Sequence, residues 1–163
     1  MMQEIFNQLQ FRAFEYEEDA ESVTDMHCCA ETLEGLWFDK TETCKMHAKI
    51  VARVPGSSWC VAYNTVIFAH ADLIKMPNGE AHVIFWRIHE SYTYPEVAKI
   101  LLDGLKREAI KRECSNLIIF ADSPQVDDNM EMLGLEPDRK YAYINPEDIT
   151  KGKVLRSERV VIH

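Results

Sequence analysis

The sequence predicts a single α/β domain on a mixed, mostly antiparallel sheet flanked by helices, in the order β-α-α-β-β-β-α-β-α-β-β. Three observations carry this expectation. First, the runs Ser58 to Tyr63, Val66 to Ile74 and Ala81 to Ile88 are rich in β-branched and aromatic residues and follow one another closely. Asn64 and Thr65 separate the first two tightly enough for a hairpin. Pro77, Asn78 and Gly79 make a turn before the third, so the three form an antiparallel meander. Second, after a polar turn from His89 to Thr93, Ala98, Leu101, Leu102, Leu105 and Ala109 recur at helical spacing, and Leu117 to Ala121 is a short apolar run. A strand–helix–strand connection places that run parallel to the 81–88 strand. Third, Asp127 to Leu133 reads as a short helix closed by Gly134, followed by strands at Tyr141 to Ile144 and Arg159 to Ile162.

The remaining elements precede the meander. Met1 to Gln10 is a polar lead-in, read as a short helix or a flexible end, and Phe11 to Tyr16 alternates like an opening strand. Val23, Met26, His27, Ala30 and Leu33 share one face of a helix from Asp19 to Leu33. Its start carries the acidic cluster Glu15, Glu17, Glu18, Asp19 and Glu21. Cys44, His47, Ala48 and Val51 are in register on a second helix, Thr41 to Arg53, which Pro55 and Gly56 end. The length of 163 residues suits one domain with a full core, and no linker or repeat divides residues 1–163.

With 18 basic and 27 acidic residues the formal net charge is −9, which disfavours nucleic acid and anionic membrane as partners and favours a cationic substrate. Trp59, Trp86, Phe85 and Phe68 lie within strands and read as core, with only Arg87 near enough to serve a nucleic-acid platform. No apolar run approaches the ~20 residues that span a bilayer. The start, MMQEIFNQLQF, lacks the basic-then-apolar pattern of a signal peptide, so the expected location is the cytoplasm. The five cysteines are odd in number and no pair has C-x-x-C spacing, so they read as reduced thiols. No metal is expected. Cys28 and Cys29 point different ways on a helix, and Cys44-x-x-His47 by itself is a chance spacing.

The start of the 98–109 helix carries opposing signals. A strand end feeding a helix N-terminus is a natural anion site, because the first amides are free. Thr93 and Glu96, however, have the spacing of a capping box, in which Thr93 accepts from the amide of residue 96 and Glu96 reaches back to the amide of residue 93. Pro95 contributes no amide.

Two segments, IHESYTYPEVAKILLDGL and MEMLGLEPDRKYAYI, together with the element order, resemble the GNAT superfamily of acyl-CoA-dependent N-acetyltransferases, in a divergent form. The resemblance implies that two central strands splay apart and that the pantetheine arm of acetyl-CoA, or of another acyl-CoA, lies in the gap. The turn would hold the pyrophosphate with backbone amides. The cofactor-binding residues it implies are Ile88, His89, Thr93, Tyr94, Glu96, Val97, Ala98 and Lys99, with an amide near Ile88 polarising the thioester carbonyl. The family's Gln/Arg-x-x-Gly-x-Gly/Ala motif falls on Thr93, Glu96 and Ala98. Its tyrosine acid falls on Met130, an asparagine near Ser123, and its Leu-Gly-Phe on Leu133-Gly134-Leu135.

A glutamate that some members carry early on the central strand falls on His82, which makes His82 the expected catalytic base, with His89 and His70 as rivals. Lys99 is a second candidate for anion contact, and Glu80 and Glu90 for a base acting through water. The implied function is acyl transfer from acyl-CoA to a primary amine, small or peptidic, by direct attack in a ternary complex. The alternative is a GNAT-fold module that has lost CoA binding and binds a ligand or partner or serves as a homodimeric scaffold.

Overall fold

A computed structural model describes residues 2–15, 18–19, 56–119, 124–135 and 159–160. The lead-in is a helix, α1 (Met2–Gln8), followed by the short strand β1 (Gln10–Ala13). The meander consists of β2 (Ser58–Tyr63), β3 (Val66–Lys75) and β4 (Glu80–Ile88). A single turn of 3₁₀ helix at Glu90–Tyr92 leads into α2 (Pro95–Lys111). β5 (Asn116–Ile119), α3 (Pro124–Met132) and the two-residue β6 (Arg159–Val160) complete the described chain. Apart from Asp19, the expected helix at 19–33 lies outside the described residues, as do the expected helix at 41–53 and the expected strand at 141–144.

The six strands form one sheet in chain order, β1 to β6. All neighbours are antiparallel except β4 and β5, which run parallel with Glu80 opposite Asn116 and Val83 opposite Ile119. Both meander turns use the residues that their backbone demands. Asn64 takes φ 53 and Gly79 takes φ 87, the left-handed region that Asn and Gly enter most readily. The Asn78 side chain steadies the second turn by accepting from the Glu80 amide at 3.0 Å.

α2 lies against one sheet face. Val97, Ala98, Leu101, Leu102, Leu105 and Ala109 are buried there with Val61, Ala69, Leu73, Val83, Trp86 and Ile119. This is the main apolar core, and α3 adds Val126 and Met130 to it. The C-terminus of α2 is held by a cation from the sheet, since Lys75 Nζ donates to the Arg112 carbonyl at 2.7 Å. The opposite sheet face is different. Phe14, Cys60, Ala62 and Ile67 form a small apolar cluster there. Beside it, Ser58, His70, Asp72, His82 and Arg87 are all buried polar groups on strands.

Gly104 sets how closely α2 approaches β1. A Cβ at this position would lie 2.6 Å from Phe11 Cδ1 and nearer still to Cγ and Cδ2. The Phe11 ring has little freedom to retreat, because it stacks on Trp59 with centroids 5.1 Å apart and planes at 9°. Alanine gains about 1 kcal/mol over glycine in helix propensity, but overpacking a filled site costs about 1–3 kcal/mol. Gly104→Ala therefore lowers stability by up to about 2 kcal/mol, read as a lower urea midpoint. In a Phe11→Ala background the same change becomes neutral or stabilising.

Candidate functional site

The site begins with an extra residue in β4. His70 pairs with Arg87 and Asp72 with Ile84, so Ala71 of β3 faces two residues of β4, Phe85 and Trp86. Phe85 absorbs the mismatch at φ 54. This is a β-bulge, which bends a strand and re-aims the side chains beyond it. Trp86 turns into the apolar core, fully buried, and its Nε1 donates to Asn129 Oδ1 at 2.8 Å. Arg87 turns to the opposite face, also fully buried, beside its cross-strand partner His70.

The β4–β5 ladder ends at Val83 and Ile119 among the described residues. Beyond it, the edge of β4 is occupied by a side chain. Gln125, in the first turn of α3, accepts from the Ile88 amide at 3.0 Å and donates to the Ile88 carbonyl at 2.9 Å. A carboxamide thus makes with Ile88 the same donor–acceptor pair that a neighbouring strand would make. Ile88 is 1% exposed, so the pair is shielded from water.

The turn that follows is built differently from the capping box the spacing suggested. The N-cap of α2 is Tyr94, at φ −116 and ψ 147, with no side-chain cap. Pro95 explains the shift, because the residue before a proline is driven out of the helical region. Thr93 Oγ1 points backwards and donates to the His89 carbonyl at 3.2 Å. Glu96 is exposed and makes no bond to the Thr93 amide among the described residues. His89 folds into the turn, its Nδ1 accepting from the Ser91 amide at 3.1 Å. The Val97 and Ala98 amides both donate to the Tyr94 carbonyl. Lys99 reaches along the helix to Asp103 at 2.8 Å. The turn therefore brings Ile88, His89, Thr93, Tyr94 and Glu96 together, while Val97 and Ala98 are buried against the sheet and Lys99 is engaged elsewhere.

His82 lies at the closed end of the same strand. It pairs with Ile118, one residue before Val83 and Ile119, the last β4–β5 pair among the described residues. It is 6% exposed, with Nε2 3.7 Å from Glu80 Oε1. Burial pushes its imidazole below the ordinary value, and the Glu80 carboxylate partly opposes the shift. The rival His70 is buried with Nε2 3.3 Å from Asp72 Oδ1, and Ser58 Oγ bonds the same oxygen. At the outer edge Arg12 grips Asp19 with two bonds, at 2.7 and 3.0 Å. Burial pushes the Asp19 carboxyl up, but the Arg12 bonds and the Glu15 amide hold it below its usual range.

No protein-family model matches the sequence, and neither does any curated protein sequence. Solved structures do match the fold. The acetyltransferase of the GNAT family from Bacillus anthracis superposes with a TM-score of 0.64 at 16% identity, over 94% of this chain and 95% of its own. Its fold is shared by this chain: the chain has the GNAT fold.

A Salmonella typhimurium protein solved with its cofactor acetyl-CoA matches with a TM-score of 0.64 at 11% identity, over 96% of this chain and 95% of that one. A longer Pyrococcus horikoshii protein matches with the same score at 10% identity, over 82% of this chain, which spans only 44% of it. At these identities the likeness is one of fold.

On the Ile88 edge the donor and the acceptor are both engaged by Gln125. At the helix mouth, the amides of Thr93 and Glu96 have no hydrogen-bond partner among the described residues. The carboxylates of Glu90 and Glu96 are exposed in the same turn. Sequence reasoning missed Gln125 and, in the buried row across the other face, Ser58 and Asp72 beside the histidines it did single out. The row had a signal, since His70 and Asp72 interrupt an apolar strand at alternate positions. Gln125 had little beyond its place in a first helical turn.

The His82 shift sets a pH dependence. The unfolded chain takes a proton at His82 near 6.5, whereas the folded chain resists it. The stability this confers is complete above pH 6.5 and is lost as the pH falls through the lower folded value. The urea midpoint of the native protein falls between pH 7.5 and pH 5.5, and His82→Gln flattens that fall. An unchanged slope in the variant would assign the acid sensitivity to other groups.

Proposed function

We propose that this chain is an N-acyltransferase that takes its acyl group from acyl-CoA and transfers it to a primary amine. The observation that carries this reading is the edge at Ile88, turned by the Phe85 bulge and paired through its amide and carbonyl with the Gln125 carboxamide rather than with a described strand. The Ile88 edge would hold the donor's arm, and the free amides of Thr93 and Glu96 its phosphates. When bound, acyl-CoA supplies an acyl thioester activated toward amine attack.

The chain's own residues supply position and proton transfer. The bulge fixes the direction of the edge, so that the arm runs from the turn toward Val83, where the strands close. His82 stands one residue further along. Burial keeps its imidazole neutral near pH 7, which makes it a proton acceptor for an incoming ammonium. Net charge of −9 favours a cationic acceptor. The direct attack needs no covalent intermediate on the protein, so positioning of donor and amine provides the main rate gain.

Glu90 and Glu96 favour a second reading, a GNAT-fold module that binds a partner or ligand and has lost CoA. Two carboxylates at a helix mouth oppose a diphosphate there, each by about 1 kcal/mol or less when exposed.

Calorimetric titration with acetyl-CoA separates the two. The enzyme reading expects micromolar binding that Glu96→Gln tightens about twofold to fivefold, the loss of one such repulsion. It also expects thiol release with a panel of diamines and peptide N-termini, and a kcat about 100-fold lower in His82→Gln. Absence of CoA binding by both the native protein and Glu96→Gln would move the assignment to the binding module.

A further inference from the structure

Gln125 and Ile88 are joined by the pairing that a ligand on this edge would need. The Gln125 carboxamide donates to the Ile88 carbonyl and accepts from the Ile88 amide, at 2.9 and 3.0 Å. A secondary amide in an extended chain offers the same two groups, a donor and an acceptor. The two therefore compete for one place. We propose that Gln125 is the specificity-determining residue of the β4 edge: its side chain stands in for a ligand amide and yields only to a ligand arm that supplies both hydrogen bonds. This rests on the acyl-CoA reading and deepens it, because the arm of the CoA carrier contains such amides and its nucleotide portion does not.

The geometry explains why both bonds matter. Ile88 is 1% exposed, so water does not readily replace a departing carboxamide. A ligand that displaces Gln125 without an amide leaves a buried N–H and a buried C=O unpaired, and each carries its full desolvation cost. An amide-bearing arm leaves neither. Gln125 can withdraw without dismantling the core, because it is half-buried at the end of α3. That helix is anchored further along by Val126, Asn129 and Met130, of which Asn129 holds the indole of Trp86. Discrimination thus comes from a side chain that closes the site in the absence of ligand and penalises carriers lacking an amide.

The test compares two probes that share a nucleotide and differ in the arm, CoA and 3′,5′-ADP. Each is titrated calorimetrically into the native protein, Gln125→Ala and Gln125→Glu. Alanine removes the competitor. Glutamate keeps an acceptor for the Ile88 amide but loses the donor to the Ile88 carbonyl, and it serves if the alanine variant fails to fold. The expected result is CoA binding about threefold to tenfold tighter in Gln125→Ala, the scale of one to two displaced hydrogen bonds, with 3′,5′-ADP unchanged. For Gln125→Glu, the ratio of CoA to 3′,5′-ADP affinity rises, which corrects for the added charge. If the native protein binds CoA and neither variant raises that ratio, Gln125 is not the competitor and the proposal falls while the acyl-CoA reading stands. If the native protein and both variants fail to bind CoA, the proposal and that reading fall together.

Discussion

One residue more in β4 than in β3 governs the functional half of this molecule. Phe85 lies at φ 54 with neither glycine nor asparagine to make that conformation easy. A left-handed residue with a side chain costs on the order of 1–2 kcal/mol. The fold recovers this through what the bulge does to the next three positions. Without it, strict alternation would continue past Ile84, and Trp86 and Arg87 would exchange faces. The indole would leave Asn129 and the apolar core, and a guanidinium would enter that core. With it, Trp86 closes the core, Arg87 joins His70, and the Ile88 edge turns toward Gln125.

The parts of the fold that rest on neighbouring segments were legible in the sequence. Ser58–Tyr63 was read at its observed bounds, and the meander and parallel crossover followed from the turns and the helical repeat. Those features are decided by local patterns of two or 3.6 residues. The bulge was not legible, because nothing in VIFWRI marks which residue takes the positive φ. The pairing of Gln125 with Ile88 joins residues 37 apart in the chain, beyond any periodicity. The capping box failed for a reason the sequence did contain. Pro95 holds Tyr94 extended, so the helix begins after Tyr94 and Thr93 falls one position too early to cap it.

The two ends of the β4 edge have unlike chemistry. At Ile88 the groups are neutral, paired and shielded, so an arm held there under the proposed function would be selected by geometry and the loss of water. At the helix mouth they are exposed and include two carboxylates, so binding there responds to charge and ionic strength. An acyl-CoA spanning both ends, as proposed, would meet its selectivity at the dry end and its salt dependence at the wet one. His82 belongs with the first, since the burial that shields the strand also keeps its ring uncharged.

Cys60 shows what such burial does to reactivity. It is fully buried on the polar face of the sheet, opposite both Arg12 and His70, and burial pushes its thiol up to about 12. Only on the order of one molecule in 10⁵ then carries the thiolate at pH 7. Peroxide, alkylating agents and foreign disulfides all react through that form. In the native state this sulfur is chemically silent, so its modification by any of them would report that the sheet had opened.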